Sequence, residues 1–261
     1  MKNRFLFILA VGFLCCYSNA VFAQGGGDVI MPSESGGWLI GPIGGLNLVT
    51  YSTDKFPLLN SEPTCFQAQN GTGVAPFFGV SAELPLNAET MQTFIMIEVI
   101  YDSKSSKFTG INNSRDHVPT KLNGVVAEGS VVTEATAALN YLLFDVGFKY
   151  NFVPAPTPVG PGVQLNINTG IRMTSTIKKT VTVSAAVVGS QTLTTTEEVV
   201  NPSAIRFGIR GQFTYDISLT EAVVATPFAG YDLPFSKVEA TKNWTASSIY
   251  VGLAVRALIG R

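Results

Sequence analysis

Between Val163 and Thr174 the side chains change character at every step. Val163, Leu165, Ile167, Thr169, Ile171 and Met173 form one set, and Gln164, Asn166, Asn168, Gly170, Arg172 and Thr174 the other. Successive side chains of an extended strand point to opposite faces, so this stretch has one apolar face and one polar face. A helix would scatter both sets around its circumference. The pattern recurs. Ile205, Phe207, Ile209, Phe213, Tyr215 and Ile217 oppose Arg206, Gly208, Arg210, Gln212, Thr214 and Asp216, with Gly211 interrupting the apolar row. Ile249, Val251, Leu253, Val255, Ala257 and Ile259 oppose Tyr250, Gly252, Ala254 and Arg256. Leu142, Phe144, Val146, Phe148, Tyr150 and Phe152 oppose Asp145, Gly147, Lys149 and Asn151.

Four weaker segments extend the set: Trp38 to Tyr51, Val74 to Leu86, Thr93 to Tyr101 and Val223 to Phe235. Pro76 and Pro227 each remove a ladder donor, which places them at strand starts near a rim. Charged residues are 13% of the chain, about half the usual share of soluble domains. The mean hydropathy is nevertheless +0.29. No stretch after residue 23 approaches the twenty apolar residues of a membrane helix. Hydrocarbon offers backbone groups no water, so only helices and closed barrels cross it. Apolar side chains diluted by alternation therefore predict an all-β fold, an eight-stranded antiparallel up-and-down transmembrane β-barrel.

The connections support this. Residues 86–90, 154–162 and 219–222 are short turns, whereas 52–73, 103–130, 176–203 and 236–245 are long links. Short turns on one side and long loops on the other are the asymmetry of membrane barrels. The Thr/Val-rich stretch 177–200, with Val188-Gly189-Ser190-Gln191 at its centre, predicts a hairpin that prolongs its strands beyond the membrane. An alternative of ten strands counts that hairpin as two further spans. Its faces of Thr and Lys offer no lipid-facing row, which favours eight.

The amino terminus sets the compartment. Lys2 and Arg4 precede the apolar run Phe5 to Cys16, and Val21-Phe22-Ala23 supplies a cleavage site. Residues 1–23 thus predict a secretory signal peptide, residues 24–37 a flexible lead rich in Gly and Ser, and 38–261 the barrel. Cleavage removes Lys2 and Arg4, so 17 basic residues against 18 acidic become 15 against 18. That weak acidity argues against nucleic acid as a partner. Only Cys65 of three cysteines survives cleavage, which excludes an internal disulfide.

The polar faces define the candidate site. Glu83, Glu98, Asp145 and Asp216 supply carboxylates to the lumen, and Lys149, Arg172, Arg206, Arg210 and Arg256 supply cations. An eight-stranded barrel is just wide enough for side chains to fill its interior. Desolvated charges there are expected to pair, forming a plug, or alternatively to line a narrow solute path. No catalytic residues are expected: His117 is the single histidine, and its sequence neighbours Arg115 and Asp116 do not make a triad. No metal-ligand spacing or phosphate loop is present, so neither metal nor cofactor is expected. Trp38, Tyr51, Tyr101, Tyr150, Phe152, Tyr215, Tyr231, Phe235 and Trp244 stand near strand ends, as interfacial girdles do.

The opening Gly41-Pro42-Ile43-Gly44-Gly45-Leu46-Asn47, the segment Phe77 to Leu86 and the closing Tyr250-Val251-Gly252-Leu253 resemble the outer-membrane β-barrel domain family, porin-like and of the small OmpA/OmpX type. The resemblance spans Trp38 to Arg261. It implies a cell outer-membrane location, and it implies outer-membrane lipid and the barrel-insertion machinery as partners. It assigns little chemistry. The function expected is a non-catalytic structural or surface-interaction role through the long extracellular loops, with an external ligand or protein bound there. The alternative is a small porin or transporter with a narrow charged lumen.

Overall fold

The computed structural model describes residues 37–259 apart from 54–55, 58–66, 69, 87–91, 109–113, 123–124, 155–159, 186–188 and 221. The expected signal peptide, nearly all of the lead, and Cys65 lie outside the described residues. Eight strands form the wall: β1 Trp38–Thr53, β2 Gly71–Pro85, β3 Thr93–Ser103, β4 Val125–Asn151, β5 Gly160–Ala185, β6 Ile205–Thr220, β7 Val223–Pro234 and β8 Trp244–Ile259. Each pairs antiparallel with the next. β8 then pairs with β1 from Trp38↔Ile259 to Thr53↔Trp244, which closes the ring. A closed ring leaves no edge of unpaired backbone groups in the membrane.

The two faces separate as the alternation requires. Ile167 on the outside is 72% exposed, whereas Arg256 on the inside is 1% exposed. On β5 the apolar row from Val163 to Met173 covers roughly ten steps of ~3.3 Å, which at a tilt of ~40° gives a band about 25 Å tall. That height is the apolar band of a membrane barrel. Past Met173 the same outer row continues as Thr176, Lys178, Thr180 and Thr182. The chain has left the hydrocarbon there.

β4 and β5 do not stop at that level. They stay paired out to Gly129↔Ala185, flanked by Ser114–Leu122 on β4 and by Gly189–Glu198 on β5. The result is a four-stranded blade standing beyond the barrel. The strand Gly189–Glu198 lies outside the ring, so the ten-strand alternative does not hold. Its contacts with β5 include Thr180–Thr194 and Thr182–Thr192 hydroxyl pairs at 3.5 and 3.3 Å, a surface suited to water. The link 103–130, expected as a loop, is largely strand: Ser106–Phe108, Ser114–Leu122 and the start of β4.

Three local expectations are corrected. Thr174 does not face the lumen: a bulge between Asn140 and Tyr141 of β4 exposes both Met173 and Thr174 and returns Ser175 to the inside. Pro76 and Pro227 are not at strand starts but within β2 and β7. Each keeps its pairing on one side, Leu46↔Pro76 and Pro227↔Leu253. On the other side the ladder is interrupted, between Thr72 and Phe77 for β2 and between Thr214 and Ile217 of β6 for β7, with the register the same on both sides of each gap. A missing donor therefore removes hydrogen bonds without inserting a residue. Finally, Tyr51 and Trp244 do not belong to a girdle. Both are fully buried in the lumen, where they stack on Phe108.

Candidate functional site

Reading β8 from its outer end inward gives the order of the lumen contents: Trp244, Ser248, Tyr250, Arg256 and Leu258. Each belongs to a distinct layer. At the outer end Tyr51, Phe108 and Trp244 have ring centroids 5.3–5.4 Å apart. The buried Leu139, Val199 and Val238 belong to the same apolar cluster, the last two from links outside the strands.

Beneath this cap lies an outer charged layer. Lys104 Nζ bridges Asp102 at 3.1 Å and Asp232 at 2.8 Å, and donates to Ser248 Oγ at 2.5 Å. Arg206 Nη2 donates to Asp232 at 2.7 Å, and Asn47 Nδ2 to Asp102 at 2.6 Å. The Tyr51 hydroxyl donates to the Lys104 carbonyl, which ties cap to layer.

The middle layer mixes charge with aromatic rings. Arg210 Nη1 donates to Asp145 at 2.9 Å, and its guanidinium stands 4.3 Å from the Tyr250 ring centroid and 5.6 Å from that of Phe77. Such contacts stabilise a desolvated cation. Phe77, Phe228 and Tyr250 form a triad with centroids 6.1 Å apart. Glycine makes room for it: a Cβ on Gly252 would lie 2.6 Å from Phe228 Cζ, and one on Gly230 2.6 Å from Tyr250 Cζ. Glu98, directly opposite Asp145 on the neighbouring strand, accepts from Gln164 Nε2 at 3.1 Å and Asn166 Nδ2 at 3.3 Å.

The inner charged layer is the most closed. Glu83 receives Lys149 at 3.1 Å and Arg256 at 2.6 Å; Asp216 receives Lys149 at 2.7 Å, Asn151 at 2.9 Å and Thr226 at 2.8 Å. Arg256 also donates to Ser81 Oγ at 2.6 Å and Thr226 Oγ1 at 3.1 Å. Leu39, Phe94, Met96 and Val224, with Leu258 against them, form an apolar floor below it.

All nine charged residues read from the sequence therefore face the interior, and seven of them join ion pairs: Glu83, Asp145, Lys149, Arg206, Arg210, Asp216 and Arg256. Glu98 is held by amides, and Arg172 lies at the outer end with its Nη1 buried and without a hydrogen-bond partner. Sequence reasoning missed Asp102, Lys104 and Asp232. The signal was present, because Asp102 and Lys104 continue the inward count past Glu98, and Asp232 shares the inward row of Thr226 and Phe228. Among the described residues no group of His, Cys, Asp and Glu could hold a metal ion, and the His117 side chain is outside the described set. Lys107 of the short strand Ser106–Phe108 pairs with Glu134 of β4 at the surface. Where β5 leaves the barrel, burial lowers the Lys179 pKa and Glu197 on the adjacent strand opposes that shift.

A closed antiparallel ring with a lipid-height apolar band outside and a packed polar interior defines the class: an outer-membrane β-barrel, crossing with strands and located in the outer membrane. No known protein-family model matches the chain, and no curated protein matches it in sequence. Among solved structures, Ail, the attachment invasion locus protein of Yersinia pestis, is 9% identical at a TM-score of 0.33, over 85% of this chain and 99% of that one. Neisserial surface protein A is 12% identical at 0.34, over 86% and 98%. The outer membrane protein OprG of Pseudomonas aeruginosa is 10% identical at 0.43, over 88% and 100%.

Proposed function

We propose that this chain is a non-catalytic outer-membrane barrel that acts through its outer face, its lumen being a structural plug rather than a path. The filled axis carries the reading. From the Tyr51–Phe108–Trp244 cap to the Leu39–Phe94–Met96–Val224 floor, successive layers are bridged by side chains that are nine-tenths or more buried. A permeating ion would have to break pairs such as Lys149–Asp216 and Lys104–Asp232, each desolvated on both sides. Breaking a buried pair costs about 3–5 kcal/mol, and several lie in series. What the plug supports is the blade of β4, β5, Ser114–Leu122 and Gly189–Glu198, whose Thr-rich surface is suited to meeting an external protein or ligand.

Reconstitution of the folded protein in planar bilayers tests this. No steady conductance is expected. Reproducible single-channel steps would sink the plug and favour a narrow charged pore.

A further inference from the structure

We propose that Arg172 and Arg206 form an oxyanion-binding site just inside the outer mouth of the barrel. In the inner charged layer two carboxylates, Glu83 and Asp216, meet two cations, Lys149 and Arg256. In the outer layer Asp102 and Asp232 likewise meet Lys104 and Arg206. Arg172 adds a third cation at that end, and no ion pair among the described residues neutralises it. The middle layer, with Glu98 and Asp145 against Arg210, carries the opposite excess, so the lumen balances as a whole, but Glu98 is held there by amides and gives Arg172 no direct partner.

The geometry sets Arg172 beside Arg206. Gly170 is opposite Arg206, so Arg172, two residues on, is its diagonal neighbour on the same inward face, about 7–8 Å away between backbones. Tyr141 is directly opposite Arg172 on β4, and its ring centroid is 5.7 Å from the Arg206 guanidinium carbon. Tyr141 thus neighbours both arginines, Arg206 through its ring and Arg172 across the ladder. Arg206 is 4% exposed; its Nη2 serves Asp232 and the Ala246 carbonyl, while its Nη1 is buried with no partner. Arg172 Nη1 is buried with no partner as well, and so is the Ser175 hydroxyl just beyond the bulge. Two buried guanidinium nitrogens and a buried hydroxyl without partners match a phosphate, sulfate or carboxylate group, whose oxygens accept charge-assisted hydrogen bonds. Arg172 is the last inward residue before β5 leaves the membrane and, unlike Arg206, is only partly buried, so a ligand enters from outside past Arg172. The site does not require the blade to have a partner.

The test uses the full folded chain in detergent micelles at constant ionic strength, with chloride as control. Calorimetric titration with inorganic phosphate and with glucose 6-phosphate separates a free anion from the ester of a larger molecule. Saturable binding of either probe is expected, weakened at least ~10-fold in Arg172→Gln, the value of one charge-assisted hydrogen bond. The Arg172→Gln barrel should migrate like the wild type on unheated gels, since the ion pairs do not use Arg172. Arg206→Lys keeps the charge beside Asp232 and removes the second prong, and should also weaken binding. Absence of saturable binding of both probes by the wild-type protein overturns the site, as does Arg172→Gln binding as tightly as the wild type.

Discussion

Arg256→Met tests whether the lumen is held by closed sets of charge. The substitution keeps much of the side-chain volume but removes the cation. It deletes the 2.6 Å contact with Glu83, the 2.6 Å hydrogen bond to Ser81 and the 3.1 Å hydrogen bond to Thr226. Summed as hydrogen bonds to a charged group, at ~1.5–3 kcal/mol each, the three set a ceiling of about 9 kcal/mol. The sum overstates the loss, because Ser81 and Thr226 can reorient and Thr226 already bonds Asp216. The governing quantity is the uncompensated carboxylate, since two acids would then face Lys149 alone. Removing one partner of a buried pair costs about 3–5 kcal/mol. Glu83→Gln leaves the opposite surplus and should cost a similar amount. The double variant leaves Lys149 with Asp216, a neutral layer, so its cost should fall at least ~2 kcal/mol short of the sum. Urea unfolding in micelles, followed by fluorescence of the two tryptophans and by the heat-dependent gel shift, measures all three. A double variant additive within ~0.5 kcal/mol would refute the closed-set argument.

Two further substitutions probe the other determinants of the barrel in the same unfolding assay. Ile167→Arg, in the middle of the lipid-facing row of β5, should cost about 2–4 kcal/mol, whereas Thr182→Arg on the same strand in the blade should stay within ~0.5 kcal/mol. Equal effects at the two sites would mean that the apolar band is misplaced. Gly252→Val places a side chain 2.6 Å from Phe228 Cζ and should cost at least ~1–3 kcal/mol, while Gly211→Ala, whose Cβ meets nothing nearer than 3.9 Å, should be close to neutral. Equal stabilities would show that the aromatic triad repacks freely.

The wall was legible because lipid on one side and a packed axis on the other impose opposite demands on adjacent residues. β5 as far as Met173, β6 apart from Gly211, and β8 carry that demand, and their faces fall where the two-residue count puts them. Beyond the membrane the demand disappears. The sequence alternates only weakly there, so the strand Ser114–Leu122 and the outer half of β4 left little pattern to read. The count also fails wherever the backbone adds a residue, as at the bulge that turns Thr174 outward. Pairing partners are a different problem. Periodicity names the face of Glu83 and Arg256, but they sit on β2 and β8, which are not adjacent, and meet across the lumen. That contact depends on barrel diameter and stagger, which no single strand encodes.

Tyr51 and Trp244 show that parity outranks position. Aromatic residues near strand ends suit an interfacial girdle, and both stand there along the chain. Yet Tyr51 has the parity of Gly45 and Asn47, and Trp244 that of Tyr250 and Ala254, all inward-facing. Lipid-facing Trp38, Tyr150, Phe152, Tyr231 and Phe235 keep the opposite parity on their own strands and are exposed. An aromatic at the rim of so narrow a barrel has two destinations, and the direction of its Cβ selects between them. Turned outward it meets the lipid interface; turned inward it must stack on what the opposite strands offer, here Phe108, and it then closes the end of the lumen.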